Sequence, residues 1–302
     1  MSVEENINRM ALQEARKTLR NVTSEGTIEI TILKNVPLLT KSTENRNSQA
    51  RQAAVVQFIK EACGLLESTI DQLVLSIGLG DGSPDMGILS FSDSEMSSNI
   101  LIPDYYAMID YSGMLKIPDG LDFSRKINKA FFIGSSTGSE DANYNDRLKL
   151  CAAYANHQSV KCYIHNICHK VEHLKSVYPN YTDWINTSNG RSIPYQRKYK
   201  YLINVDGNTC AWDRIPWILN SNSILLKKKS SSSSKCWYYD LLENGVHYIE
   251  FDKDTEITTI MEKMSTADCQ RIIAAANQFC RDYLTRKSHL TYMAKLLHYL
   301  TI

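Results

Sequence analysis

The sequence predicts an α/β protein of two units, each a strand-and-helix series built around its own sheet. Three observations carry that expectation. The first third alternates strand and helix patterns in β-α-β order, which builds parallel sheets with helices on their faces. A composition break at 113–130 (GMLKIPDGLDFSRKINKA) interrupts the series with glycines, a proline and charges, as a linker does. A second series follows and is densest over Tyr199–Phe251, where YKYLINVDGNTCAWDRIPWILNSNSILLK leads on to WYYDLLENGVHYIEF.

The elements follow in order. Residues 4–20 carry a charged amphipathic helix pattern, and TIEITIL (27–33) alternates and is rich in β-branched residues, which predicts a strand. Residues 47–67 place apolar groups three and four apart, the spacing of a helix face. DQLVLSIGLGDG (71–82) reads as a buried strand entering a glycine-rich turn, and ILSFS (88–92) and NILIP (99–103) as short strands. Beyond the break, AFFIG (130–134) opens the second series, followed by a helix at 144–156, a strand near 159–164 and the dense segment. Two amphipathic helices, 265–284 and 286–300, close the chain, and the run KKKSSSSSK (227–235) is expected to be a mobile loop.

Composition bounds the function. A chain of 302 residues with 43% hydrophobic and 22% charged content is long enough for two cores. Its net charge of +1 offers no basic footprint for nucleic acid or an anionic membrane surface. The start, MSVEENINRMALQEARKTLR, lacks the apolar segment of a signal peptide, and no run approaches the roughly 18 apolar residues that span a bilayer. The expectation is a cytoplasmic protein, of a bacterium or of a virus-infected host cell, with eight reduced cysteines. The triplets starting at Asn21, Asn180 and Asn186 then read as chance glycosylation matches.

Ligands of such sheets sit beyond the carboxyl ends of the strands, so the turns after Leu79, Ile133 and Val205 matter most. In the last of these, Asn208, Thr209, Trp212 and Arg214, with Lys227 from the next strand, gather where a turn enters a helix. Free N–H groups and the positive end of the helix dipole hold an anion there, and an arginine fork grips phosphate. The second unit therefore reads as nucleotide-binding. Competing constellations are weaker. Cys162, His165, Cys168, His169 and His173 are metal-ligand types, but one short segment does not wrap four ligands around a tetrahedral ion. Asp252 and Asp254 in FDKDTE are expected to cap a helix. GLGDG lacks the third glycine of a dinucleotide fingerprint, and His247 reads first as a core histidine.

AFFIGSSTGSE with NDRLKL, KYKYLINVDGNTCAWDRIPWIL, SNSILLK and WYYDLLENGVHYIEF, preceded by LSIGLGDG, ILSFSDSE and ILIPDYYAM, stand in the same order as in glycosyltransferase family 90. The chain resembles that family from about residue 27 onward. The resemblance implies the GT-B fold, two Rossmann-like domains with parallel sheets facing across a cleft. It implies an acceptor-side domain at 1–125, with helices 266–302 packing back on it, and a UDP-sugar-binding domain at 126–265. The implied reaction is an inverting, metal-independent transfer of glucose or xylose from a UDP-sugar to a hydroxyl of a glycan or protein acceptor, without a cofactor.

By resemblance Asp81 is the general base, taking the acceptor's proton; its residue context alone leaves a turn-capping aspartate equally open, and Asp85 is its rival. Ser135 and Arg147 correspond to residues contacting the donor's phosphates, Arg147 having the alternative of a solvated helix arginine paired with Asp141 or Asp146. Gly207, Asn208, Thr209, Cys210, Ala211, Trp212, Asp213 and Arg214 correspond to the loop over diphosphate and uridine, with Arg214 neutralising the departing UDP. Trp212 and Trp217 are candidates to flank the base, though aromatic residues at helical spacing are commonly core. Phe91, Ser92, Pro103, Asp104, Tyr105 and Tyr106 correspond to the donor-sugar and acceptor side. The family's ribose-binding glutamate has no counterpart near Cys236. That absence motivates one alternative, a catalytically degenerate sugar- or nucleotide-binding module of the same fold. A metal-dependent transferase using Asp252 and Asp254 is the other.

Overall fold

The computed structural model describes residues 1–22, 26–43, 45–81, 85–94, 96–168, 171–186, 192–231 and 233–302. The chain is α/β, as the sequence predicts, and divides into two compact units. Unit 1 comprises Met1–Gly113, Ser232–Asp240 and Arg281–Ile302; unit 2 comprises Met114–Ser231 and Leu241–Cys280.

Unit 1 opens with α1 (Val3–Ala15), whose start is fixed by a capping box: the Ser2 hydroxyl accepts from the Glu5 N–H, and the Glu5 carboxylate accepts from the Ser2 N–H. β1 (Thr27–Leu33) and β2 (Val36–Lys41) form a hairpin, with Lys34 and Asn35 at φ 49° and 62° in the turn. A two-residue turn with both φ positive matches the twist of the strands it joins. Next come α2 (Arg46–Cys63), β3 (Gln72–Gly78), β4 (Leu89–Ser90), β5 (Asp93–Ser94), β6 (Ile100–Leu101) and α3 (Tyr105–Met108). The sheet order is β2-β1-β3-β4-β6. It is mixed rather than wholly parallel: β1 runs antiparallel to both neighbours, whereas β3, β4 and β6 are parallel. The tight hairpin forces the first of these pairings, β1 with β2, since only antiparallel strands can be joined by two residues.

Unit 2 follows the linker. Its elements are β7 (Ile127–Ser135), α4 (Asp146–Ala153), β8 (Val160–Asn166), α5 (Val171–Val177), α6 (Ile193–Gln196), β9 (Tyr199–Asn204), α7 (Arg214–Leu219) and β10 (Ile224–Lys228). The chain then passes into unit 1 for β11 (Ser234–Lys235), which pairs with β5, and returns for β12 (Ile249–Phe251), α8 (Glu256–Lys263) and α9 (Thr266–Tyr283). α10 (Arg286–Tyr299) completes unit 1. The lysine–serine run expected as a loop is thus strand at both ends, Lys227 and Lys228 closing β10 and Ser234–Lys235 forming β11; Ser232 lies outside the described residues.

The unit 2 sheet has the order β12-β10-β9-β7-β8, with every junction parallel. Counted along the chain this is the doubly wound order 2-1-3-4-5, whose winding reverses between its first and third strands, β7 and β9. Helices supply apolar cover, so the strands are apolar runs: Phe131, Phe132 and Ile133 of β7 and Ile224, Leu225 and Leu226 of β10 are all buried. Beneath the linker, the Lys126 ammonium, with a fully buried side chain, donates to Asp119 at 2.6 Å and to Ser223 Oγ at 3.0 Å. In unit 1, Tyr292 of α10 donates to the Leu101 carbonyl at 2.8 Å and lies 4.4 Å, ring to ring, from Trp237. His289, buried between Tyr111 and Trp237, is pushed down to about 3 by that burial and is neutral. Among the described residues no helix is long and apolar enough to cross a membrane.

Candidate functional site

A reversal of winding sends the loops after two adjacent strands to opposite faces and opens a crevice between them. In unit 2 that crevice lies between the segments following β7 and β9, and Arg147, in the first turn of α4, is planted across it. Its Nε donates to the carbonyls of Val205 and Asp206, both at 3.1 Å, on the β9 side. Its Nη1 donates to the Ser135 carbonyl at 3.0 Å and to Thr137 Oγ1 at 2.6 Å on the β7 side. Nη2 makes no hydrogen bond to the described residues. Burial and the neighbouring Arg214 hold the guanidinium down to about 10, so it keeps its charge at neutral pH. Asp146 pairs instead with Lys228 at 3.5 Å, and Asp141 accepts from Asn143.

Asn145 puts Arg147 there. It is fully buried and caps α4, its Oδ1 accepting from the N–H groups of Arg147 and Leu148 at 3.1 Å. Its Nδ2 donates to the carbonyls of Ser136 and Ser139, both at 3.0 Å, so one side chain ties the helix start to the loop after β7. The sequence reading passed over Asn145, although an Asn two residues before a helical arginine is a cap signal.

The β9 side is shaped around the same guanidinium. A Cβ added at Gly207 would lie 2.6 Å from Thr137 Oγ1, 2.9 Å from Arg147 Nη2 and 3.1 Å from Arg147 Cζ. Asn208 adds a second tie across the crevice, its Oδ1 accepting from the Gly138 N–H at 3.1 Å, while the Gly207 N–H donates to the Thr209 carbonyl at 2.9 Å. Cys210 and Trp212 are buried beneath this loop, Ala211 and Asp213 are partly buried, and Trp217 is core. Arg214 opens α7 and donates to the Ile133 carbonyl, with its guanidinium 5.1 Å from the Phe132 ring centre. It therefore braces the end of β7. Two polar groups stand out where β9 ends: among the described residues, neither the amide atoms of the fully buried Asn204 nor the enclosed carboxylate oxygens of Asp206 have a hydrogen bond of normal geometry. Burial raises the Asp206 carboxyl above the usual carboxylate range, with Lys227 opposing the shift.

In unit 1, Asp81 follows the end of β3. Arg51 of α2 holds its Oδ1 at 3.1 Å through Nη2 and the Leu79 carbonyl at 2.6 Å through Nη1. The buried Ser92 hydroxyl donates to the Asp81 carbonyl at 2.6 Å, beside the buried Phe91. The rival Asp85 is engaged locally: hydrogen bonds from the Ser98 hydroxyl and N–H hold its carboxyl below the usual range. Gly82 and the two residues after it lie outside the described residues. Asp104, buried after Pro103, caps α3 by accepting from the N–H groups of Tyr106 and Ala107, and the part-buried Tyr105 and Tyr106 meet edge to face at 5.4 Å.

The expected caps at α8 are corrected. Thr255 occupies the cap position, the Glu256 carboxylate accepts from the Asp252 N–H at 2.9 Å, and Asp254 pairs with Lys228 at 2.8 Å. Glu256 is the first residue of α8, and its carboxylate reaches back to the N–H groups that precede the helix. Cys162 is buried in β8, Cys168 is exposed, His173 accepts from the Ala142 N–H, and His169 lies outside the described residues. His247 accepts from the Glu243 N–H, with its pKa lowered by burial. Cys236 is buried in unit 1.

The sequence profile of Glycosyl transferase family 90 matches residues 82–300. The zebrafish (Danio rerio) Protein O-glucosyltransferase 2 is 27% identical over 225 residues, 69% of this chain and 41% of the relative. Uncharacterized protein 035R of Invertebrate iridescent virus 3 is 30% identical over 234 residues, 70% of this chain and 21% of the relative. The chain thus spans less than half the length of these curated relatives. Among solved structures, Anabaena HepE in complex with UDP-glucose aligns over 59% of this chain and 56% of its own, at 13% identity and a TM-score of 0.41, too distant a likeness to argue from.

Proposed function

The chain belongs to Glycosyl transferase family 90, and from that premise we propose that it transfers a sugar from a UDP-sugar to a hydroxyl of a glycan or protein acceptor, with inversion at the anomeric carbon and without a metal. The observation that carries the proposal is Arg147, fixed across the winding reversal with Nε and Nη1 spent on both strand-end loops and Nη2 left over beside Gly207. A charged donor held rigidly at a crevice of this kind suits a diphosphate. The GT-B fold is part of the proposal.

In the proposed step the acceptor oxygen attacks the anomeric carbon from the face opposite the leaving group. The bond from that carbon to the UDP oxygen breaks, and the acceptor's proton passes to the Asp81 carboxylate. Arg147 and Arg214 supply positive charge as UDP departs, the task a divalent ion performs elsewhere. Ser135 and the 207–214 loop hold the diphosphate, and Phe91, Ser92 and the 103–106 segment the sugar and acceptor. UDP-glucose and UDP-xylose are the candidate donors; they differ by one CH₂OH, worth about 1–3 kcal/mol of discrimination.

Incubation with each UDP-sugar, with UDP release measured in the presence and absence of EDTA, tests the proposal. Release that EDTA abolishes and manganese restores would overturn metal independence. A second reading, a nucleotide-binding module without turnover, draws on how far Arg147 and Arg214 are committed to main-chain carbonyls. Binding of UDP with no release from any UDP-sugar would favour it.

A further inference from the structure

We infer that Arg51 is a positioning residue for the general base: its guanidinium fixes the Asp81 carboxylate and the end of β3 together. The inference rests on the proposed role of Asp81. One fork makes both contacts, Nη1 to the Leu79 carbonyl at 2.6 Å and Nη2 to Asp81 Oδ1 at 3.1 Å. The first contact anchors the fork to the main chain two residues before the carboxylate, so the second cannot drift without breaking the strand end. Ser92 holds the Asp81 main chain from the other side. The carboxylate is restrained yet reachable, its side chain 44% exposed against 28% for Arg51. A base in this position must be aimed, and an arginine fork anchored to the main chain aims it. Lysine, a point charge on a flexible stem, would supply only the charge.

Among nearby charged residues, Glu29 of β1 accepts from Thr40, Asp85 is bound by Ser98, Asp93 of β5 accepts from Asn99, and Lys235 of β11 pairs with Asp240. Arg51 lies in α2, outside the residues 82–300 matched to the family.

The test is steady-state UDP release from UDP-glucose or UDP-xylose by the wild type, Arg51→Lys, Arg51→Met, Asp81→Asn and the Arg51→Met/Asp81→Asn double variant, with the UDP dissociation constant and melting temperature of each measured alongside. In Arg51→Lys and Arg51→Met kcat falls several-fold, while KM for the UDP-sugar and the UDP dissociation constant stay near their wild-type values, because the fork that aims the carboxylate is lost. In the double variant kcat falls no further than in Asp81→Asn alone, because Arg51 acts through that carboxylate. Wild-type kcat in Arg51→Lys and Arg51→Met overturns the inference, as do additive losses in the double variant. Wild-type kcat in Asp81→Asn overturns the general-base assignment instead, so the two failures are distinguishable.

Discussion

Replacing Gly207 by alanine isolates the crevice from the rest of the fold. Gly207 has no positive φ, so alanine brings no backbone strain. What its Cβ meets is the Thr137 hydroxyl at 2.6 Å and the Arg147 guanidinium at 2.9–3.1 Å. Both are the ends of side chains, so the main chain can stay while the side chains give way, and one of them, the Arg147 guanidinium, is the proposed diphosphate grip. Moving Nη2 aside forfeits one charge-assisted hydrogen bond to the ligand, about 1.5–3 kcal/mol. At 1.4 kcal/mol per decade, UDP should bind about 10- to 150-fold more weakly. Crowding itself costs about 1–3 kcal/mol, a melting temperature lowered by several degrees. Isothermal titration of UDP into the wild type, Gly207→Ala, Arg147→Met and the double variant checks both numbers. Because alanine acts through Arg147, the double variant should lose no more affinity than Arg147→Met alone, a coupling that independent sites do not show. Wild-type affinity in Gly207→Ala, or additive losses in the double variant, would refute the reasoning.

Three further outcomes are expected. Asp81→Asn should lower kcat for UDP release by about 10²- to 10⁴-fold and leave the UDP dissociation constant within about twofold, which a binding titration beside a rate assay reads directly. Asp119→Ala strands the Lys126 ammonium, whose partner carboxylate is itself only 6% exposed, and should cost about 3–5 kcal/mol in urea unfolding. His289 is neutral in the native state down to about pH 3, whereas an unfolded histidine takes its proton near 6.5. The unfolded chain thus binds more protons between those values, and stability falls as pH drops below 6.5, by up to about 1.4 kcal/mol per pH unit from this residue. His289→Gln should flatten that part of the stability–pH curve; an unchanged slope would remove His289 as its source.

Periodicity revealed the elements whose own residues dictate them. β1 alternates, β7 and β10 are apolar because the sheet is covered, and α9 and α10 show helical spacing. β2 escaped because it is an exposed edge carrying Pro37, where a missing N–H does no harm and no apolar stripe is needed. β11 escaped because serine and lysine have little strand preference, and only its pairing with β5 makes it a strand. The site divides in the same way. Ser135 and Arg147 were legible through the resemblance to the family and Gly207 also as a small residue in the turn after a strand, and the fold brings the three together. Arg51 was not, because it serves by holding groups contributed by a distant segment, and one chain read alone does not reveal who its neighbours will be; Asn145 carried only the local signal of a helix cap, which says nothing of the loop it ties down. Gly207 was expected to admit a ligand; its nearest neighbours are Thr137 and Arg147.

The interleaving of the two units bears on how the molecule is made. The chain passes between them after Gly113, Ser231, Asp240 and Cys280. As it emerges from a ribosome, unit 2 can begin to assemble from the contiguous stretch carrying β7 to β10, whereas unit 1 must wait for Trp237 and then for α10. Unit 1 is thus begun before unit 2 and completed after it. Until then the apolar surface that α10 will cover has no lid, which makes nascent unit 1 a natural client for chaperones and a chain cut before α10 the most damaged product.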